Sequence, residues 1–68
     1  MIKDNLGKII KERREFLKIR QVDLAEIAGV GLRYLIDIEN GKGNPSIGKL
    51  EKILNVLGLQ IEIKAKEL

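Results

Sequence analysis

Apolar side chains recur along this chain at helical spacing in four stretches, and at alternate positions in a fifth. Leu6, Ile9, Ile10 and Leu17 share one helical face with Phe16 beside them, and Asp4 or Asn5 offers an acceptor to cap the start of that helix. Between Gln21 and Ala28, the residues Val22, Leu24, Ala25, Ile27 and Ala28 form a broad apolar surface. Gly29 takes positive φ at no steric cost and so ends the second helix, with Val30 after it as an apolar plug. Leu32 to Asn40 predicts a third helix with Leu35 and Ile38 inward, closed by Gly41. Two helices this short do not persist alone in water, so the unit at 21–41 must be held by the rest of the chain. After a polar turn, Pro45 keeps the backbone before it out of helix and Ser46 is a good N-cap. Ile47, Leu50, Ile53, Leu54 and Leu57 then repeat at helical spacing up to Gly58. The expected fold class is all-α, a compact bundle of four to five helices in one domain spanning 1–68.

The fifth stretch, 59–65, alternates apolar and polar residues with period two, which predicts a half-buried strand. No earlier segment reads as a strand to pair with it. A lone strand leaves its backbone groups without partners, so the same strand of a second copy is the expected mate. The expectation is a twofold homodimer joined through Leu59, Ile61 and Ile63, against the alternative of a frayed tail.

With 68 residues, the chain is a small single domain whose core is marginal or aided by association. It has no cysteine and no histidine, which removes disulfides, thiolate chemistry and the commonest metal ligand and acid–base group. That composition suits a reducing cytoplasm. No apolar run approaches the ~20 residues of a membrane span. A single serine is best used as a cap, and the carboxylate pairs Glu12/Glu15 and Asp23/Glu26 look like solvated helix faces. An enzyme, a metal site and a cofactor therefore have no basis in the residues. The net charge of +3 is unevenly spread: 1–20 carries +4, 21–40 carries −3 and 41–68 carries +2. A polyanion would be drawn to the flanks of the central unit more than to the unit itself.

A helix, a tight turn and a second helix at a steep angle match the helix-turn-helix, whose second helix enters a DNA major groove. The stretch QVDLAEIAGVGLRYLIDIENGK resembles the helix-turn-helix of the Cro/lambda-repressor (XRE) family. Gln21, the Leu24-Ala25 pair, Gly29-Val30 and the Glu39-Asn40-Gly41 ending stand in register. The C-terminal LGLQIEI resembles small repressors of the HipB antitoxin type. The resemblance implies a salt bridge between Arg14 and Glu39 clamping the first helix to the recognition helix; an unpaired guanidinium beside the apolar stripe would be costly. It also implies that Gly31, Leu32, Arg33, Tyr34 and Asp37 face the groove, with Gln21 bonding phosphate and Asn40 and Lys42 near the backbone. Arg33 is the expected base reader, because a guanidinium donates two parallel hydrogen bonds to guanine. Leu32 suits a thymine methyl. Tyr34 suits a phosphate edge, or equally a protein contact or simple packing.

Several positions depart from the family pattern. Lys18 stands where glycine is usual, and Arg20 and Gly31 stand where a hydroxyl cap is usual. Arginine has no acceptor, so Asp23 in the first turn is the expected substitute for a cap. Ile36 and Asp37 replace residues commonly polar or basic, and aspartate repels phosphate although it can accept from cytosine. Three functions follow: a repressor binding double-stranded operator DNA as a homodimer, an antitoxin that also restrains a HipA-like toxin kinase, and a protein-interaction module that has lost DNA binding.

Overall fold

The computed structural model describes residues 2–65, with side chains from Asn5 onward. Four helices follow in order: α1 (Ile2–Phe16), α2 (Gln21–Ala28), α3 (Leu32–Glu39) and α4 (Ile47–Leu57). Their inward faces meet in one core of Ile10, Leu24, Ala25, Ala28, Leu35, Ile38, Leu50, Ile53, Leu54 and Leu57. Leu6, Ile19, Val30, Tyr34, Val56 and Leu59 pack around it, so Val30 plugs the turn as its apolarity required. Helix α1 lies mainly on α3, and α4 closes the opposite side against α2.

Three of the helix ends are set by local sequence. Gly29 and Gly58 cap α2 and α4 in the left-handed region, at φ 73° and 71°. Ser46 caps the start of α4, its hydroxyl accepting from the Lys49 amide at 3.3 Å. The start of α1 differs from expectation. The helix already includes Ile2, so Asp4 and Asn5 lie inside it rather than at its start.

The buried stripe of α1 also differs. Gly7, Ile10 and Arg14 turn inward at spacings of three and four, while Ile9 and Phe16 are exposed and Leu17 lies beyond the helix. Apolarity alone pointed to the wrong neighbours, because the inward positions include a glycine and an arginine. A Cβ on Gly7 would collide with the carbonyl oxygen of Ile38 and lie 2.8 Å from that of Glu39, so α1 and α3 touch backbone to backbone there. On α2 the expected apolar surface is narrower than five residues: Leu24, Ala25 and Ala28 are buried, but Val22 and Ile27 face out. Ile47 is likewise exposed at the start of α4.

Between α1 and α2 the chain reverses through Lys18, a non-glycine residue with φ 58°. The Ile19 amide then returns to the Arg14 carbonyl at 3.1 Å. Asp23 does not cap the α2 backbone. Its carboxylate is held by Arg20, with Nε at 2.8 Å and Nη2 at 3.2 Å, on the exposed surface. Those hydrogen bonds hold the Asp23 carboxyl below its ordinary pKa. The small contribution of this pair to stability is therefore present at neutral pH and fades as pH falls through the depressed value.

The tail is a correction. No strand occurs among the described residues, and 59–65 carries no regular secondary structure. A strand exists only through the ladder it makes with a neighbour, and no other described segment of this chain offers one. The Leu59 amide still bonds the Leu54 carbonyl at 2.8 Å, and its side chain rests on the core. Beyond it Ile61 is 43% exposed and Ile63 89% exposed.

Two substitutions test the α1 geometry in chemical denaturation. Lys18→Gly removes a left-handed L-residue and is expected to stabilise the protein by about 0.5–1 kcal/mol. Gly7→Ala should destabilise it by about 1–3 kcal/mol despite the better helix propensity of alanine, because α1 must lift off α3. A neutral Gly7→Ala would show that the two helices are not in backbone contact.

Candidate nucleic-acid interface

The end of α3 is anchored by a carboxylate almost withdrawn from water. The Glu39 side chain is 1% exposed, and Arg14 reaches it from α1 with both arms of its guanidinium: Nε to Oε2 at 2.7 Å and Nη2 to Oε1 at 3.0 Å. The remaining arm, Nη1, donates to the Ile19 carbonyl at 2.9 Å. Donating to the Glu39 carboxylate raises the Arg14 pKa, against the opposing effect of desolvation. Gln21, at the first position of α2, adds its Nε2 to the same Oε1 at 3.0 Å. One carboxylate thus ties α1, α2 and α3 together, and among the described residues no buried side-chain nitrogen or oxygen lacks a partner. Arg14 and Glu39 pair as the resemblance implied. For Gln21 the arrangement adds a bond not foreseen: one amide hydrogen is committed to Glu39, leaving the second for another acceptor.

Clamped in this way, α3 buries Leu35, Ile38 and Glu39 and presents its opposite side. Gly31 precedes it at φ −69° and ψ 144°, its carbonyl accepting from Leu35 at 3.1 Å, and no side chain caps the helix. Leu32 is 41% exposed at the first position. Arg33 follows with its side chain in solvent, and one turn later Asp37 meets it, Nη2 to Oδ1 at 2.9 Å. Asn40 is exposed just past the helix, and Lys42 lies exposed in the turn after it, with its amide on the Asp37 carbonyl at 2.7 Å. Leu32, Arg33 and Asp37 therefore run along the outward border of α3, and Asn40 and Lys42 follow just past its end.

Tyr34 is placed differently. Its hydroxyl accepts from the Ser46 amide at 3.2 Å, and the Lys49 ammonium sits 4.8 Å from the ring centroid. The ring braces α3 against the start of α4, which is the packing alternative among its readings. Arg13 also has a structural partner. Its Nε donates to the Leu57 carbonyl at 2.9 Å, capping the C-terminus of α4, and its guanidinium lies 5.4 Å from the Phe16 ring centroid. A signal for this existed: Leu6, Ile10 and Arg13 share the four-then-three spacing of an inward stripe.

Four helices with a short α2 and α3 locked at a tight turn, and a recognition helix open along one side, define a helix-turn-helix domain. A family model described as helix-turn-helix (HTH_3) matches residues 10–64, and the chain belongs to that family, of the XRE type. It is 41% identical over 61 residues to an uncharacterised HTH-type transcriptional regulator, y4mF, of Sinorhizobium fredii (strain NBRC 101917 / NGR234), covering 90% of this chain and 80% of that one. It is 43% identical over 56 residues to the immunity repressor protein of Bacillus phage phi105, covering 82% of this chain but 39% of the repressor. Among solved structures, the master regulator for biofilm formation SinR in complex with DNA superposes with a TM-score of 0.74 at 43% identity, over 81% of this chain and 89% of that one. A SinR/SinI protein complex superposes equally, at 44% identity over 79% of this chain and 53% of that one.

The clamp predicts non-additivity. Arg14→Ala and Glu39→Ala should each cost about 3 kcal/mol of stability, since each leaves a buried charge unpaired. The double variant should cost well under their sum in urea denaturation; additive losses would mean the two charges act independently.

Proposed function

We propose that this chain is a sequence-specific DNA-binding transcriptional regulator, a repressor, that inserts α3 in the major groove. The observation that carries this reading is the open border of α3, on which Leu32 and Arg33 stand at the N-terminal end of a helix fixed from behind. The structural likeness to SinR in complex with DNA supports it, as does the likeness to a phage immunity repressor. In this reading Arg33 reads guanine, Leu32 meets a thymine methyl, and the free amide hydrogen of Gln21 together with Asn40 and Lys42 engages phosphate. Gly31 allows the backbone to come close, Asp37 lines the groove beside Arg33, and Tyr34 acts through packing. The function lies with a family of regulators and calls for no catalytic step.

A regulator of this kind reads two half-sites about 34 Å apart when it is a dimer. The homodimer is supported by the tail. Leu59, Ile61 and Ile63 alternate with polar residues, Ile61 and Ile63 are exposed, and a cleft of about 250 Å³ beside them is lined by Glu51, Leu54, Asn55, Leu59, Gln60 and Ile61. A second reading, an interaction module for another protein, is favoured by the exposed Val22, Ile27 and Leu32 and by the likeness to SinR in its complex with SinI. An antitoxin restraining a HipA-like kinase is one form of it; such a kinase encoded next to this chain and co-purifying with it would establish that form.

Selection of bound duplexes from a random pool is expected to return one preferred site, with affinity falling steeply as salt rises. Arg33→Ala should cost about 1–3 kcal/mol at that site and relax preference at a guanine, whereas Lys42→Ala should weaken all duplexes alike. Absence of binding to every duplex at low salt would overturn the DNA reading. Removal of 60–68 should convert a dimer to a monomer in light scattering; an unchanged mass would refute the role of the tail.

A further inference from the structure

The pair between Arg33 and Asp37 has a chemical consequence for recognition. Arg33 is the only basic residue of α3, and its guanidinium is shared with Asp37 at 2.9 Å while both remain in contact with solvent, at 77% and 31% side-chain exposure. The other acid of the helix, Glu39, is already neutralised by Arg14. The outward border of α3 therefore carries no net charge, because its single cation is matched by its single free anion. The Asp37 Cβ lies beside Gly43, where an added Cβ would be 3.8 Å away, so the residue stands next to the turn that bears Lys42.

Resting on the DNA reading above, we infer that Asp37 is a specificity-determining residue: it denies Arg33 to phosphate and releases it, or steadies it, only against a guanine edge. Non-specific binding is almost wholly electrostatic, and each phosphate neutralised releases counterions. An arginine already bonded to a carboxylate contributes little to that term, and the carboxylate repels the phosphates that approach it. Contact with a base edge is different. Guanidinium has five donors in a planar fork, and one hydrogen held by Asp37 leaves enough for a bidentate bond to guanine O6 and N7. Asp37 then restrains a long side chain in the plane that bond requires, so less rotamer freedom is lost on binding. The exposed pair is weak enough to open where the geometry of a site demands it.

The test compares the wild-type protein with Asp37→Asn, Arg33→Ala and the double variant, each on the duplex selected from the random pool and on an unrelated duplex of equal length, across a salt series. Asp37→Asn is expected to bind the unrelated duplex about tenfold more tightly at low salt, with a log–log salt slope steeper by about one. On the selected duplex its affinity should change less than threefold, so the ratio between the two falls. In the Arg33→Ala background the gain of the Asn substitution on the unrelated duplex should shrink, because the cation it would free is gone. If wild type discriminates between the duplexes and Asp37→Asn leaves that ratio unchanged, or lowers affinity for both alike, the role of Asp37 is refuted while the DNA reading stands. If neither protein binds any duplex, both fall. Thermal melting of Asp37→Asn close to that of wild type separates this effect from misfolding.

Discussion

The orientation of the recognition helix depends on one buried carboxylate. Glu39 stands at the last residue of an eight-residue helix that has no side-chain cap at its start. A helix of that length has little stability of its own. Arg14 grips it with two hydrogen bonds from α1 and gives its third arm to the Ile19 carbonyl, while Gln21 brings in the first residue of α2. Taking both charges out of water is expensive, and their pairing offsets that cost only because the donors and acceptors are matched. The same pairing selects one arrangement of α1, α2 and α3, since a rotation of any of them would strand a charge.

Gly7 makes that arrangement possible in space. Arg14 can meet Glu39 only if α1 passes close to the end of α3, and the missing side chain two turns earlier lets the backbones touch. On the far side, Arg13 performs the corresponding task for α4 by bonding the Leu57 carbonyl. Neighbouring arginines thus secure opposite sides of the bundle, one through a carboxylate and one through a helix terminus. Neither is available as a free cation, and the positive charge left for a polyanion lies mostly on lysines at the flanks.

Against this framework the local imperfections are tolerable. Lys18 adopts a left-handed conformation that costs an L-residue about 1–2 kcal/mol. Arg20 and Gly31 begin their helices without a side-chain cap. A domain of this size holds only a few kcal/mol in reserve, so these deficits matter to stability. They do not alter the fold, because the ten core residues and the clamp still agree on one geometry. The charge-neutral border of α3 belongs to the same economy of few charges: with a single arginine to present, what stands next to it governs what it can bind.

Much of the helical framework was legible in the residues themselves. The periodic apolar positions of α3 and α4, the glycines at 29 and 58 and the Ser46 cap are local signals, and local physics decides where helices start and stop. The match of Arg14 to Glu39 came from resemblance, since spacing along a chain cannot show which charges meet across 25 residues. The inward roles of Gly7 and Arg13, the bracing of Tyr34 on α4, the outward turn of Ile9 and Ile27, and the coupling of Gln21 to Glu39 were decided by tertiary packing. Each depends on which face a neighbouring helix covers, and that neighbour is distant in sequence. For 59–65, alternation marks a capacity to form a strand, but a ladder needs a partner, and no described segment of this chain supplies it.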